Sequence, residues 1–138
     1  MLFTKRQESE LITAIKGRGE IPLKFVYLGK GVYNWVKIAK SRLEKGGINN
    51  AEALLLKKRV AEFLNTIPDS KEINVIDIGC GDATPCLPIL EKLKEKNIKF
   101  NYVPIDISKE MLDIAVNTVT SKFKGTNCKP FELDFELG

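Results

Sequence analysis

The chain has 138 residues, 43% of them hydrophobic and 29% charged, with a formal net charge of +4. That is the size and composition of one folded domain, and it excludes a disordered chain. Histidine is absent, which excludes a Ser-His-Asp triad, a Cys-His pair, a histidine zinc site and a histidine general base within one chain. The cysteines, Cys80, Cys86 and Cys128, are odd in number and form no C-x-x-C pair. This speaks against a disulfide framework and a zinc site, so no metal is expected. Met1-Leu2-Phe3-Thr4-Lys5-Arg6 lacks the apolar run of a signal peptide. No stretch approaches the ~20 apolar residues of a membrane span. A cytoplasmic protein with no membrane partner is the expectation. Residues 1–72 carry 14 basic and 8 acidic side chains, and residues 73–138 carry 8 basic and 10 acidic ones. The densest basic run, Lys57-Lys58-Arg59, reads as a solvated helix face, so no specific nucleic-acid partner is expected.

In chain order, residues 8–16 predict a short helix stopped by Gly17 and Gly19. Ile21-Pro22-Leu23-Lys24-Phe25-Val26-Tyr27-Leu28 reads as an extended, partly buried segment closed by Gly29 and Gly31. Val32, Trp35, Val36, Ala39 and Leu43 fall on one face of a helix that Gly46-Gly47 ends. Asn49 and Glu52 form a capping-box-like start. The helix that follows runs from about Ala51 to Thr66, with Leu54, Leu55, Ala61 and Leu64 as apolar surface and Pro68 at its exit. The pattern then alternates β and α. Ile73–Ile78 is short, β-branched and apolar on both faces, as a central parallel strand is. Thr84 and Pro85 predict an N-cap and first-turn proline for a helix to about Asn97. Lys99–Ile105 is a second strand. Ser108 caps a helix through about Phe123, with Met111, Leu112, Ala115 and Val119 on one face. Residues 128–135 are a third strand, placed at an edge by Pro130, which cannot donate to a ladder. The sum is an α/β chain. A helical cover on the substrate side spans residues 1–72, a βαβαβ unit spans 73–138, and the two form one domain.

The turn after the first strand reads Asp77-Ile78-Gly79-Cys80-Gly81-Asp82-Ala83-Thr84-Pro85. Gly79 permits a sharp turn with unusual φ. Gly81 removes a Cβ where a ligand approaches the backbone, and the helix start offers unpaired N–H groups. A strand before, a helix after and an acid at the next strand's end make this a nucleotide cradle. That acid is Asp106, placed to accept two hydrogen bonds from ribose hydroxyls. The alternative is a helix N-terminal acid beside the Ser108 cap. A dinucleotide motif wants glycine at the sixth position of G-x-G-x-x-G, where this chain has Thr84. Asp77 and Asp82 also surround the turn with negative charge, which repels a pyrophosphate but not a sulfonium with an amino-acid tail. The turn therefore favours S-adenosylmethionine (SAM) over NAD. Cys80 reads as a small filler rather than a nucleophile, since no histidine can activate it.

Val75-Ile76-Asp77-Ile78-Gly79-Cys80-Gly81-Asp82-Ala83 resembles motif I of the class I SAM-dependent methyltransferases, with Ala83 in place of a frequent third glycine. Tyr102-Val103-Pro104-Ile105-Asp106-Ile107-Ser108, followed by Met111-Leu112, resembles the second-strand signature of the histidine-specific methyltransferase family. Those enzymes trimethylate the α-amine of histidine on the route to ergothioneine. Leu23–Gly31 and Ala51-Glu52-Ala53-Leu54-Leu55 resemble the same family's N-terminal segment, so the likeness covers about residues 20–138. It implies a Rossmann-like fold, SAM as cofactor and methyl transfer to an amine-type or other small-molecule acceptor. Gly79 and Gly81 would line the methionine part of the cofactor, with Cys80 and Asp82 in the same turn. Asp77 would hold the turn and the cofactor's amino group. Asp106 would bind the ribose diol, and Ile107 would pack on adenine. Asp134 and Phe135 match the third-strand position where an acid meets the adenine amine; the alternative for Asp134 is an exposed acid near a chain end. Tyr27 and Tyr33 would wall the substrate side. Trp35 could do so too, but it lies on the apolar stripe, which favours core packing instead.

The resembled sheet has seven strands, and this chain supplies the first three. Strand 1 then lacks strand 4 beside it, so Val75, Ile76 and Ile78 are expected on an uncovered apolar edge. A longer chain or a homodimer would cover it. A non-catalytic nucleotide-binding module acting as a dimer is the alternative to an enzyme. Methyl transfer is an in-line displacement from sulfonium to an acceptor lone pair, helped by alignment and desolvation. It needs no histidine.

Overall fold

The computed structural model describes residues 3–44, 48–66 and 72–135. Helix α1 (Lys5–Arg18) starts earlier than its apolar residues imply because Thr4 and Gln7 form a reciprocal capping box. The Thr4 hydroxyl accepts from the Gln7 N–H at 3.2 Å, and the Gln7 amide oxygen accepts from the Thr4 N–H at 2.8 Å. The helix runs through Gly17 and ends on Gly19. The next segment is not the extended one expected. Leu23–Tyr27 is a 3-10 turn, opened by Pro22, whose carbonyl accepts from the Phe25 N–H at 3.1 Å. Among the described residues no strand lies beside it to reward an extended conformation. Phe25 is buried edge-on against Phe3, while Ile21, Leu23 and Val26 face water.

Helix α2 (Gly31–Glu44) follows at once. Glycine is required at its start, where a Cβ would stand 2.3 Å from the Val26 carbonyl oxygen. Helix α3 (Ile48–Leu64) buries Val60 and Leu64, one turn apart. Leu54, Leu55 and Ala61 are exposed instead, because the helix packs on α2 and α4 along a narrower stripe than expected. The expected stop at Gly46-Gly47 and the exit at Pro68 lie outside the described residues. The expected start at the Asn49–Glu52 cap is not met: the helix already begins at Ile48, so Asn49 lies within its first turn. No helix among the described residues is long and apolar enough to cross a membrane.

Strands β1 (Glu72–Ile78) and β2 (Lys99–Asp106) are parallel, in register from Glu72 opposite Lys99 to Ile78 opposite Ile105. The third strand comes in two pieces, β3 (Asn127–Cys128) and β4 (Phe131–Glu132), both parallel to β2 at the same offset. It breaks at Lys129-Pro130, where proline has no N–H for the ladder. The sheet order is β1-β2-β3, with β4 continuing β3 along β2. Between β1 and β2, Thr84–Cys86 forms a 3-10 turn and helix α4 (Leu87–Glu95) follows. Thr84 does not cap a helix as expected. It already lies within the turn, and the Asp82 carboxylate accepts from its N–H at 3.0 Å. Helix α5 (Lys109–Lys122) is capped by Ser108, as its sequence predicts, and buries Met111, Leu112, Ala115 and Val119.

Both α4 and α5 pack on one face of the sheet. Leu90, Leu93, Leu112, Ala115, Val119 and Phe123 meet Ile73, Val75, Phe100 and Tyr102 there. Val75 is thus turned inward, not left at an open edge, because successive strand residues face opposite sides. The opposite face is uncovered among the described residues. Register gathers Ile76, Ile78, Val103, Ile105 and Phe131 on it, with Ile76 59% and Ile78 68% exposed. Asn74, Asn101 and Asn127 form a side-chain ladder across the same face, with bonds of 2.9 and 3.0 Å.

Candidate cofactor site

The β1–β2 register sets the C-terminal ends of two parallel strands side by side, where ligands bind in sheets of this kind. After Ile78 the chain takes left-handed conformations at Gly79 (φ 66°) and Gly81 (φ 53°). Glycine adopts these without steric penalty. The N–H groups of Gly79 and Cys80 both donate to the Ile105 carbonyl, at 2.8 and 3.2 Å, fastening the turn to the end of β2. A Cβ on Gly79 or Gly81 would meet no protein atom within 4 Å. Ala83 is also left-handed, at φ 65°, and fully buried. It adopts the glycine-like conformation at a cost of about 1–2 kcal/mol.

Asp106 ends β2. Its Oδ2 accepts from the Gly81 N–H at 3.3 Å and its Oδ1 from the Ser108 N–H at 3.1 Å. The Cys80 thiol also reaches Oδ2, at a long 4.0 Å; a carboxylate offers about four lone-pair sites, so acceptor capacity remains. Asp77 lies beneath the turn, on the helix-covered face. Its Oδ2 accepts from the buried Tyr102 hydroxyl at 2.7 Å. Burial holds the Asp77 carboxyl above its usual pKa of 3.8, with the Tyr102 hydrogen bond opposing. The Cys86 thiol, next to Asp77, is pushed up to about 12 by burial and by that carboxylate. The Cys80 thiol is raised further, by burial and then by Asp106 and Asp77, which keeps it from acting as a thiolate.

A cavity of about 350 Å³ opens over the turn, within the ~300–1,000 Å³ of small-molecule pockets. Gly79, Gly81 and Asp106 line one side, and Ile107 and Met111 continue it along the start of α5. Asp134 and Phe135 close the third-strand side. Lys24, Tyr27 and Trp35 come from the N-terminal region, the two aromatic rings meeting edge-on at 5.4 Å between centroids. A larger and more open cleft of about 550 Å³ lies at the other end of the sheet, around Glu72, Lys99 and Asn127. It sits at the strands' N-terminal ends, away from the glycine turn and from Asp106.

Of the residues singled out by sequence, Gly79, Gly81, Asp106, Ile107, Asp134, Phe135 and Tyr27 surround one cavity. Asp77, Cys80 and Asp82 do not line it; they brace or fill the turn from beneath and beside. Tyr33 projects from α2 and is 58% exposed. Trp35 lines the cavity. Lys24 and Met111 line it without having been singled out. Met111 reads in sequence as part of α5's inner face and of the signature after the second strand, not as a site residue, and Lys24 lies in the segment whose conformation differs from expectation. The Lys24 ammonium stands 2.5 Å from a Glu10 carboxylate oxygen and 3.0 Å from Asp134 Oδ2.

A parallel sheet with a glycine turn after β1 and an acid ending β2 is the nucleotide-binding half of a Rossmann-like α/β fold. The profile of one family, the histidine-specific, SAM-dependent methyltransferases, matches residues 7–138. The chain belongs to that family. No curated protein matches it. Among solved structures it is similar to the DszA carbon methyltransferase, at 21% identity and a TM-score of 0.49, over 69% of this chain and 25% of that one. It is also similar to a SAM-dependent methyltransferase from Clostridium acetobutylicum ATCC 824, at 20% identity and a TM-score of 0.43, over 72% and 36%. A third is magnesium protoporphyrin IX methyltransferase (ChlM) from Synechocystis PCC 6803 with bound SAM, at 14% identity and a TM-score of 0.42, over 92% and 49%. The chain spans between a quarter and a half of the length of these structures.

Proposed function

We propose that the cavity over Gly79 and Gly81 binds SAM, and that the chain is the cofactor-binding part of a methyltransferase acting on an amine-type small molecule. One observation carries this reading: the open space beside both glycines and the Asp106 carboxylate share a single cavity. The methionine end of the cofactor would lie against the glycine turn, and the ribose hydroxyls would donate to Asp106. Ile107 packs on adenine, and Asp134 with Phe135 meets its amino edge. Asp77 acts from below, through Tyr102, and Cys80 and Asp82 shape the turn. Tyr27 and Trp35 roof the cavity, and Tyr33 faces the acceptor side. In this reading residues 1–72 are a cover and residues 73–138 the cofactor unit.

Bound SAM supplies the electrophilic methyl group. The chain's own contribution is to orient it and exclude water. The family's description makes histidine the first acceptor to test. The uncovered sheet face is closed in a homodimer, and a reducing cytoplasm suits three free cysteines. Calorimetry with SAM, its demethylated product S-adenosylhomocysteine and NAD tests the reading. Micromolar binding of the first two and none of NAD is expected. A folded sample that binds neither adenosyl ligand overturns it.

A further inference from the structure

We infer that Lys24 is a positioning residue: it orients the Asp134 carboxylate toward the 6-amino group of the bound nucleobase, so that the N-terminal region sets the site's base specificity. This rests on the reading of the cavity as a SAM site. Lys24 and Asp134 are 110 positions apart in the chain, yet the ammonium donates to Asp134 Oδ2 at 3.0 Å. The Lys24 side chain is only 10% exposed, and among the described residues its carboxylate partners Asp134 and Glu10 are 20% and 30% exposed. A surface ion pair contributes little, but a shielded one that joins an ammonium to more than one carboxylate fixes geometry. The anchoring side is itself held. Phe25 stacks edge-on with Phe3, and Tyr27 with Trp35, so the turn that carries Lys24 is pinned on both sides.

Asp134 needs such a tether. Strand β4 contains two residues, and the Leu133 N–H makes the last bond to β2, to the Asp106 carbonyl at 2.9 Å. Asp134 therefore sits just past the end of the ladder, at the cavity wall. A carboxylate is a pure acceptor, and an ammonium on one of its oxygens sets its orientation. A pure acceptor welcomes an amino group and repels a carbonyl oxygen. The site should thus select adenine over hypoxanthine, which carries oxygen at the same ring position.

The test is calorimetry of the 138-residue chain with S-adenosylhomocysteine and with S-inosylhomocysteine. The unaltered chain is expected to prefer the adenine ligand by about 10- to 100-fold. Lys24→Met should weaken the adenine ligand by about tenfold and change the hypoxanthine ligand by less than about threefold, collapsing the preference. Lys24→Arg, which keeps the charge, should restore most of it. Equal weakening of both ligands by Lys24→Met would reduce Lys24 to a mere fastener of the cover and overturn the inference, as would an unchanged preference. Should Lys24→Met fail to fold, Asp134→Asn with Lys24 intact must lose the same preference, and its retention overturns the inference. Failure of the unaltered chain to bind either ligand is a separate result that sinks the SAM reading itself.

Discussion

Replacing Asp106 with alanine tests the site at its centre. In the unliganded chain the carboxylate accepts from the N–H groups of Gly81 and Ser108. Both groups are partly solvated, so losing their acceptor is expected to lower stability by about 1–2 kcal/mol. The effect on binding is larger. Two ribose hydroxyls donating to a carboxylate contribute roughly 1.5–3 kcal/mol each when taken singly, and about 3 kcal/mol together allowing for non-additivity. That corresponds to a Kd raised about 150-fold. Calorimetry with S-adenosylhomocysteine reads the affinity, and thermal unfolding confirms the fold. Asp106→Asn is no remedy, because a carboxamide has one acceptor oxygen where Gly81 and Ser108 each occupy one. Asp82→Ala is the internal comparison. It loses the bond to the Thr84 N–H outside the cavity, so binding should change by less than tenfold. A folded Asp106→Ala chain that binds within about threefold of the original refutes the ribose role and with it the placement of the nucleoside.

Two further perturbations probe the parts that flank the site. Burial raises the Asp77 carboxyl above 3.8, so its ionised form is penalised in the folded chain at neutral pH. Asp77→Asn keeps an acceptor for Tyr102 and should be at least as stable at pH 7. The folded chain takes up this proton at a higher pH than the unfolded one, so acidification favours the original chain. The Asn variant's advantage should therefore shrink as pH falls through the raised folded pKa toward 3.8, which denaturation across pH will read. An advantage that grows on acidification contradicts the assignment. Asp77→Ala strands a buried hydroxyl and should cost about 1–3 kcal/mol. On the uncovered face, the double variant Ile76→Thr, Ile78→Thr keeps β-branched side chains and should cost less than about 1 kcal/mol, and the proposed homodimer predicts weaker self-association for it than for the original chain in sedimentation velocity. Unchanged self-association would remove this face from any dimer contact.

The sequence is most legible where a local rule and the tertiary contacts agree. The four apolar positions of α5 carry a helical period, and all four are buried behind the Ser108 cap. Pro130 marks the edge strand and also sets where it breaks. The glycine turn is legible because φ near +60° is a backbone demand that composition betrays, and Asp106 because the strand before it ends where its register does. Legibility fails where apolar residues lack a partner element. Residues 21–28 read as extended on composition, but no strand among the described residues lies beside them to pair with, and Pro22 opens a 3-10 turn. Leu54 and Leu55 read as inner surface, although α3 meets its neighbours through Val60 and Leu64. Lys24 is invisible for a related reason. Its partners, Glu10 and Asp134, lie on elements whose approach no local pattern encodes.

The two ends of the cavity are consequently built in different ways. At the glycine turn, backbone donors on Gly79 and Cys80 reach the Ile105 carbonyl, and Gly81 reaches the Asp106 carboxylate. All of these bonds lie within the β1–β2 pair, so that end is organised as soon as those strands align. At the Asp134 end the third strand is short and interrupted, and order comes from Lys24 across 110 positions of chain. A ligand touching both ends therefore couples the docking of the N-terminal region to its own affinity, since whatever binds only the assembled arrangement stabilises it. In the proposed reading, this coupling would give the N-terminal region a role in the cofactor site independent of any contact with the methyl acceptor.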